Sequence, residues 1–315
     1  MNFTDIEYSK RRKKTRREQF LEQMDSIIPW DIWVKLIEPF YPNGKRGRKP
    51  QLIERMLRMM LLQNWFNLSD EGIEDAIYDS YAMKSFLRLT FTDSQVPDAT
   101  TLCKFRKLLN EHGIQAQIFQ QVQTMLEQQG KSVHGGTIVD ATIVEASSNT
   151  KNKDHATDPE MHSVKKGNNY HFGMRVHIGV DPLYGFVHGL EVTPANTAEV
   201  KVAPKLLRPD DAVVYGDAGY ISLERYVEDG IERNYQINLQ RGTFKNNYGT
   251  GLSWAEEKKL ESRKSSIRCK VEYVFHIVKD IFGWRKTRYK GIYKNSCQAQ
   301  LLFACANIYM LEKFA

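Results

Sequence analysis

The decapeptide GGTIVDATIV, residues 135–144, divides the chain. Upstream of it, apolar residues recur every three to four positions. Within and after it they run together or alternate, and β-branched residues dominate. A change of period from 3.6 to 2 marks the passage from helices to strands. The run also holds a misfit. Asp140 interrupts a stretch otherwise fit for a buried strand, and an acid there is costly unless it is paired or bound to a cation.

Upstream, DIWVKLIEPF, QLIERMLRMMLLQNWF, SDEGIEDAIYDS and DATTLCKFRKLLNEHG read as amphipathic helices, with Ser69, Asp70 and Asp98 as polar starters able to cap them. The expected helical region covers residues 1–130. Short helices joined by tight turns, with Lys104, Arg106 and Lys107 on the last, suit a helix-turn-helix-like DNA module; a plain helical bundle fits the same pattern. Downstream, TIVDATIV, YHFGMRVHIGVD, GFVHGLEVTP, AVVYGDAGY and YQINLQR read as strands, with helical segments at NTAEVKVAPKLL and SLERYVEDG. Three strands in meander, then helices alternating with strands, then a long helix describe an α/β domain over residues 131–315. Residues 146–168 read as a polar loop, and residues 242–262 as a linker or short insertion carrying Trp254.

Composition limits what such a chain does. Its 315 residues, 41% hydrophobic and 26% charged, suffice for ample core. The net charge of +7 is concentrated. KRRKKTRR (Lys10 to Arg17) has seven cations in eight residues, GKRGRK (Gly44 to Lys49) forms a second cluster, and Lys258 to Lys294 carries twelve Lys or Arg against three acids. Localised positive charge favours a polyanion, nucleic acid before a membrane surface. Four scattered cysteines (103, 269, 297 and 305) form no CxxC pair, so neither a disulfide framework nor a zinc site is indicated, and a reducing cytoplasm suits them. The N-terminus lacks the apolar run of a signal peptide, and LLFACANIYML is too short to span a bilayer. Five of the eight histidines lie between His155 and His188, at spacings that match no zinc pattern.

The last long helix carries an odd charge pattern. In SSIRCKVEYVFHIVKD, residues 265–280, Ile267, Val271, Val274 and Val278 share one face, continued by Ile281 and Phe282. Arg268, Glu272 and Lys279 do not lie opposite it. They form a stripe along its edge, roughly 40° wide at helical pitch. Taken singly, Glu272 is an i,i+4 partner of Arg268, Asp217 in VVYGDAGY a turn aspartate, and Asp140 a hydrogen-bonded core acid. Taken together they converge. If the strands of Asp140 and Asp217 pair mid-sheet, and the helix packs by its valine face, three carboxylates meet at one edge. Their mutual repulsion needs cations, and two Mg²⁺ or Mn²⁺ ions roughly 3.5–4 Å apart suit an all-oxygen site for in-line displacement at phosphorus. Arg268 and Lys279 would then hold DNA phosphates.

This order of motifs resembles the Asp-Asp-Glu transposases of bacterial insertion sequences. The likeness is strongest to the insertion-sequence-five family, within the insertion-sequence-four-like superfamily, and extends from about residue 45 to 312. It rests on IVDATIVEA, KKGNNYHFGMRVHIGVD (165–181), VTPANTAEV, YGDAGY and the spacing of Arg268, Glu272 and Lys279. Upstream, GRKPQLIERMLRMMLLQ, LSDEGIEDAIYDS and VPDATTLCKFRKLL resemble the family's helical DNA-binding region. The tyrosine that normally opens the C-terminal block is Ser265 here. The resemblance implies a ribonuclease-H-like catalytic domain behind an all-α DNA-binding region, with Asp140, Asp217 and Glu272 as catalytic residues and metal ligands. Water would free a 3′ hydroxyl at the terminal inverted repeats, and that hydroxyl would attack target DNA. A homodimer on paired double-stranded ends is expected, in the bacterial cytoplasm at the nucleoid. Lys166, Arg175 and His177 of the second block join the expected DNA contacts, as do Lys104, Arg106, Arg268 and Lys279. Trp254 reads either as a platform for a flipped base, as in some members of the superfamily, or as ordinary packing. The rival readings are a nuclease of the same fold without strand transfer and a DNA-binding regulator that has lost catalysis.

Overall fold

A computed structural model describes residues 13–42, 44, 49–89, 95–151, 155–240 and 253–312. Two of the basic clusters fall partly outside this range, at 10–12 and 45–48. The chain forms two units, Met1–Ile114 with Ile308–Ala315, and Gln115–Asn307.

The first unit is helical: α1 (Arg16–Ile27), α2 (Trp30–Ile37), α3 (Ile53–Trp65), α4 (Asp70–Asp79), α5 (Tyr81–Phe86) and α6 (Ala99–Glu111). Local chemistry sets the starts. Thr15 and Glu18 form a reciprocal capping box on α1, Ser69 Oγ accepts from Gly72 N, and Asp98 accepts from Thr101 N. Every residue of α3 from Met56 to Trp65 is buried. That includes Arg58, which donates to Asp25 Oδ1 (2.6 Å), Glu54 Oε1 (2.8 Å) and the Phe86 carbonyl (2.9 Å). Its guanidinium also lies 3.9 Å from the centre of the Trp30 ring, a cation–π contact in a desolvated setting. Arg106 is equally occupied. It grips both oxygens of Asp70 at 2.8 and 2.9 Å and donates to Gln63 Oε1. The expectation that Arg106 meets DNA is therefore corrected: its fork closes on α4 and its side chain is mostly covered. Asp70, expected as a cap, is instead the anchor of that arginine, and Ser69 caps alone. Lys104 is exposed.

The second unit centres on a mixed sheet of β1 (Gly136–Glu145), β2 (His162–Lys166), β3 (Asn169–Val180), β4 (Val187–Pro194), β5 (Val213–Gly216) and β6 (Asn234–Ile237). All but the first residue of α7 (Ile114–Gln128) belongs to it, and Gln123 Nε2 donates to the His188 carbonyl. β3 is long enough to pair with β2 through its first half and with β4 through its second. β1 lies antiparallel to β3 and parallel to β5, and β5 is parallel to β6. β2 falls inside the expected loop 146–168. Its residues are nearly all exposed, so no apolar alternation marks it.

Two layers cover the sheet. On one face Val139, Val214, Tyr220 and Leu223 pack with Ala203 and Leu206, which belong to a short segment of α8 (Glu199–Val202) continuing as a 3₁₀ turn to Leu206. SLERYVEDG keeps only a 3₁₀ turn, Leu223–Tyr226. α9 (Trp254–His276) lies along β1 and β5 and buries Val271 and Val274. It is followed by a π turn, Ile277–Ile281, and by α10 (Ile292–Leu311). The linker reading of 242–262 is thus corrected at its end: the helix begins at Trp254, where Ser253 and Glu256 make a second capping box. Residues 241–252 lie outside the described range. Among the described residues no helix is long and apolar enough to cross a membrane.

Candidate active site

The ladder between β1 and β5 ends at the Ile138–Tyr215 pair. Continued by two residues, it reaches Asp140 on one strand and Asp217 on the other. Asp217 stands just past the end of β5, and Asp140 stands level with it midway along β1, where pairing with β5 has stopped while β1 runs on beside β3 to Glu145. Crevices beyond the carboxyl ends of parallel strands are where open α/β sheets take their ligands. β-branched residues suit β1 to the sheet, and a 3₁₀ turn, Ala218–Tyr220, follows Asp217 at once.

Each carboxylate has a distinct setting. Asp140 Oδ1 accepts from the Ala141 amide (2.8 Å) and Oδ2 pairs with Arg268 Nη1 at 3.2 Å. Burial pushes its pKa up, and the charges of Asp217 and Glu199 push the same way; the Ala141 amide and Arg268 oppose them, leaving it at about 7. Asp217 Oδ1 caps the turn that follows by accepting from Gly219 N at 2.8 Å. Glu272 is largely exposed and meets Arg268 Nη2 at 2.9 Å. One guanidinium thus bridges Asp140 and Glu272. Among the described residues, no three acids, histidines or cysteines stand close enough to hold an ion as they are. The fold brings Asp140 and Asp217 level with each other on neighbouring strands, and Arg268 joins Glu272 to Asp140.

The expected DNA contacts divide sharply. Lys166 on β2 is exposed, and so is half of Trp254, with Lys258 Nζ 5.0 Å from its ring. Others are corrected. His177 is fully buried, its Nε2 against Thr193 Oγ1, and burial followed by the nearby Arg175 charge drives its pKa down to about 3. Arg175 is also buried, donating to the Thr197 carbonyl at 2.8 Å and pairing with Glu199 at 3.1 Å. Lys279 Nζ donates to the Ile143 carbonyl at 2.7 Å and ties the π turn to β1. Arg268 faces acids. Ser265, the departure from the tyrosine, lies 3.3 Å from Asn238 Nδ2 at the end of β6.

One residue escaped the sequence reading. Glu199 stands beside Asp217: a methyl at Gly219 would come within 3.0 Å of Asp217 Oδ1 and 3.6 Å of Glu199 Oε2. Burial raises the Glu199 pKa, Arg175 opposes it and Asp217 adds to it.

The raised acid has a consequence for stability. A carboxyl whose folded pKa exceeds its unfolded value stabilises fully below the unfolded pKa, and that stability is lost as pH rises through the folded one. For Asp140 the window runs from about 4 to about 7. In EDTA at pH 8, Asp140→Asn is expected to be the more stable protein by on the order of 2–4 kcal/mol. The gain should vanish below pH 4. Denaturant melts of both proteins across this range check it.

Residues 131–308 match the family described as transposase DDE domain, and residues 9–108 match one described as transposase domain (DUF772). A cryo-EM structure of a piggyBac transposase synaptic complex with hairpin DNA aligns with 93% of this chain and 72% of its own, at 9% identity and a TM-score of 0.46. That likeness is too remote to bear on the site.

Proposed function

The chain belongs to the transposase DDE domain family, and from that premise we propose that it cuts the inverted-repeat ends of its own mobile element and joins their 3′ ends to target DNA. The observation that carries the reading is the placement of Asp140, midway along β1, level with Asp217 just past the end of β5, with Glu272 linked to Asp140 by Arg268. An antiparallel β1–β3–β4 group extended by β5 and β6 parallel to β1 supports a ribonuclease-H-like core.

The donor set fits hard divalent cations. All three side chains offer oxygen only, as Mg²⁺ and Mn²⁺ prefer. Burial first, then the neighbouring acids, push the Asp140 pKa up to about 7, so added positive charge is what its carboxylate lacks. Arg268 supplies one positive charge between Asp140 and Glu272 within the chain. When bound, a pair of divalent ions would supply Lewis acidity to both the attacking and the leaving oxygen. Asp140, Asp217 and Glu272 would hold them, which requires Glu272 to turn from Arg268. Exposed Lys166 and Lys104 would meet DNA phosphates, and Trp254 would offer a stacking face. Residues 1–130 would read the element's ends, and a dimer would hold two ends together.

The test is a purified full-length chain incubated with a plasmid carrying the element's two ends. Mg²⁺-dependent release of 3′ hydroxyls at those ends, and joining of pre-cut ends to a target plasmid, are the expected products. Cutting without joining would make the chain a nuclease of the same fold. End-specific binding with no cutting in Mg²⁺ or Mn²⁺ would make it a regulator.

A further inference from the structure

We infer that Glu199 is a positioning residue of the candidate cation site: clamped by Arg175 and set over Gly219 beside Asp217, it adds a fourth carboxylate to the field that holds divalent ions. The inference rests on the reading of Asp140 and Asp217 as metal ligands.

Three independent features place Glu199 in this role. The first is proximity. Glu199 Oε2 and Asp217 Oδ1 crowd the same side of Gly219, where any Cβ would press on the Asp217 oxygen. The second is anchorage. Arg175 Nη1 holds Glu199 Oε1 at 3.1 Å and the Thr197 carbonyl at 2.8 Å, so both the side chain and the backbone leading into α8 are fixed by one guanidinium. The third is a buried hydroxyl turned to the cluster. Tyr220 is fully buried. Its hydroxyl reaches Glu199 and favours that carboxylate's charged form, and the charges that bear on it most, after its own burial, are Glu199, Asp140 and Asp217. A hydroxyl kept among acids is suited to fix one carboxylate as its neighbours bind ions.

The arrangement is more than a salt bridge that staples α8 to β3. A single arginine would neutralise a single glutamate. Here Glu199 also acts on Asp140 and Asp217, which sit on different strands. Its negative charge favours cations at those two acids, and its clamp keeps it from swinging in as an alternative ligand. Arg175, expected at DNA, acts through this contact instead.

The probe is Mn²⁺ alone, titrated into the full-length protein and followed by its EPR signal, with the Mn²⁺-induced rise in Tm as a second readout. Glu199→Gln preserves shape and removes charge. It is expected to weaken Mn²⁺ binding about tenfold, and Glu199→Asp to recover part of the loss. Asp217→Asn should abolish tight binding, and Glu127→Gln, at an exposed acid near the end of α7, should match wild type. Mn²⁺ held by Glu199→Gln within twofold of wild type, while Asp217→Asn loses it, overturns the inference and leaves Glu199 a structural partner of Arg175. Mn²⁺ held equally by wild type, Asp140→Asn and Asp217→Asn overturns the metal reading itself, and this inference with it.

Discussion

Replacing Asp217 with alanine is expected to lower cutting at the element's ends by about a thousandfold or more, with binding of the same DNA within about threefold of wild type. The magnitude follows from what the site is proposed to do. Two-ion stabilisation of a phosphoryl transition state is worth several kcal/mol, and each 1.36 kcal/mol is a factor of ten in rate. Losing one of the two carboxylates on the neighbouring strands forfeits most of that. The binding half follows from the position of Asp217. It is one acid at the end of β5, at a turn whose fold is carried mainly by buried Val214, Tyr220 and Leu223. Removing a negative charge there does not weaken attraction to phosphate. Gel shifts and end-cleavage assays on one preparation give both numbers. Cutting retained within tenfold would remove Asp217 from the chemistry.

The second large effect concerns stability. Arg58→Ala is expected to destabilise the helical unit by about 3–5 kcal/mol, the range for breaking a buried ion pair by removing one partner. Arg58 is fully buried and serves Asp25, Glu54 and the Phe86 carbonyl while covering Trp30. Its loss leaves the Phe86 carbonyl without this donor, leaves Asp25 and Glu54 to the exposed Arg88, and opens a cavity against the indole. Arg58→Met is the informative contrast. It refills the volume, and apolar replacement of buried charge is often far less costly than truncation. Yet Asp25 and Glu54 remain, each partly reached by solvent, so a loss intermediate between wild type and alanine is expected. Urea melts followed by tryptophan fluorescence report it, since Trp30, Trp33 and Trp65 all lie in this unit. An alanine variant within 1 kcal/mol of wild type would show the pair network to be incidental.

How much of this was legible in the residues depends on which interactions decide each feature. Strands β1, β3, β4, β5 and β6 declared themselves because burial forces alternation or continuous apolar runs on a sequence. β2 did not, because almost nothing on it is buried. The start of α9 was hidden for a different reason: Ser253 and Glu256 signal a capping box, but the polar run that follows them looks like linker. Partner choice was least legible. Arg175 and His177 occupy alternate positions of β3, and only its pairing with β1 and the packing of the 199–206 segment show both to be covered. Arg106 looked free because its partner, Asp70, lies 36 residues away. Glu199 lay within the quoted motif VTPANTAEV and was passed over. An acid in the first turn of a helix has an ordinary explanation in the helix dipole, and only the neighbouring Asp217 gives it a second one. The acids of the site were visible as misfits, and Arg268 as their companion. That Arg268 would face two of them was not.

The wide turn at Ile277–Ile281 sets a rule for the length of this protein. In a π segment hydrogen bonds reach one residue further than in an α-helix, so the coil there accommodates an additional amino acid. Its effect is seen in Phe282, which is buried, while Ile281 beside it is over a third exposed. The interval from Glu272 to Lys279 is therefore a count that includes slack, and not a pure measure of helical phase. Deleting one residue between Glu272 and the wide turn, with the turn itself kept, would swing the lysine by about 100°, off the Ile143 carbonyl. The helix would survive such a deletion as a helix, but its last turns would no longer be fastened to the strand that carries Asp140.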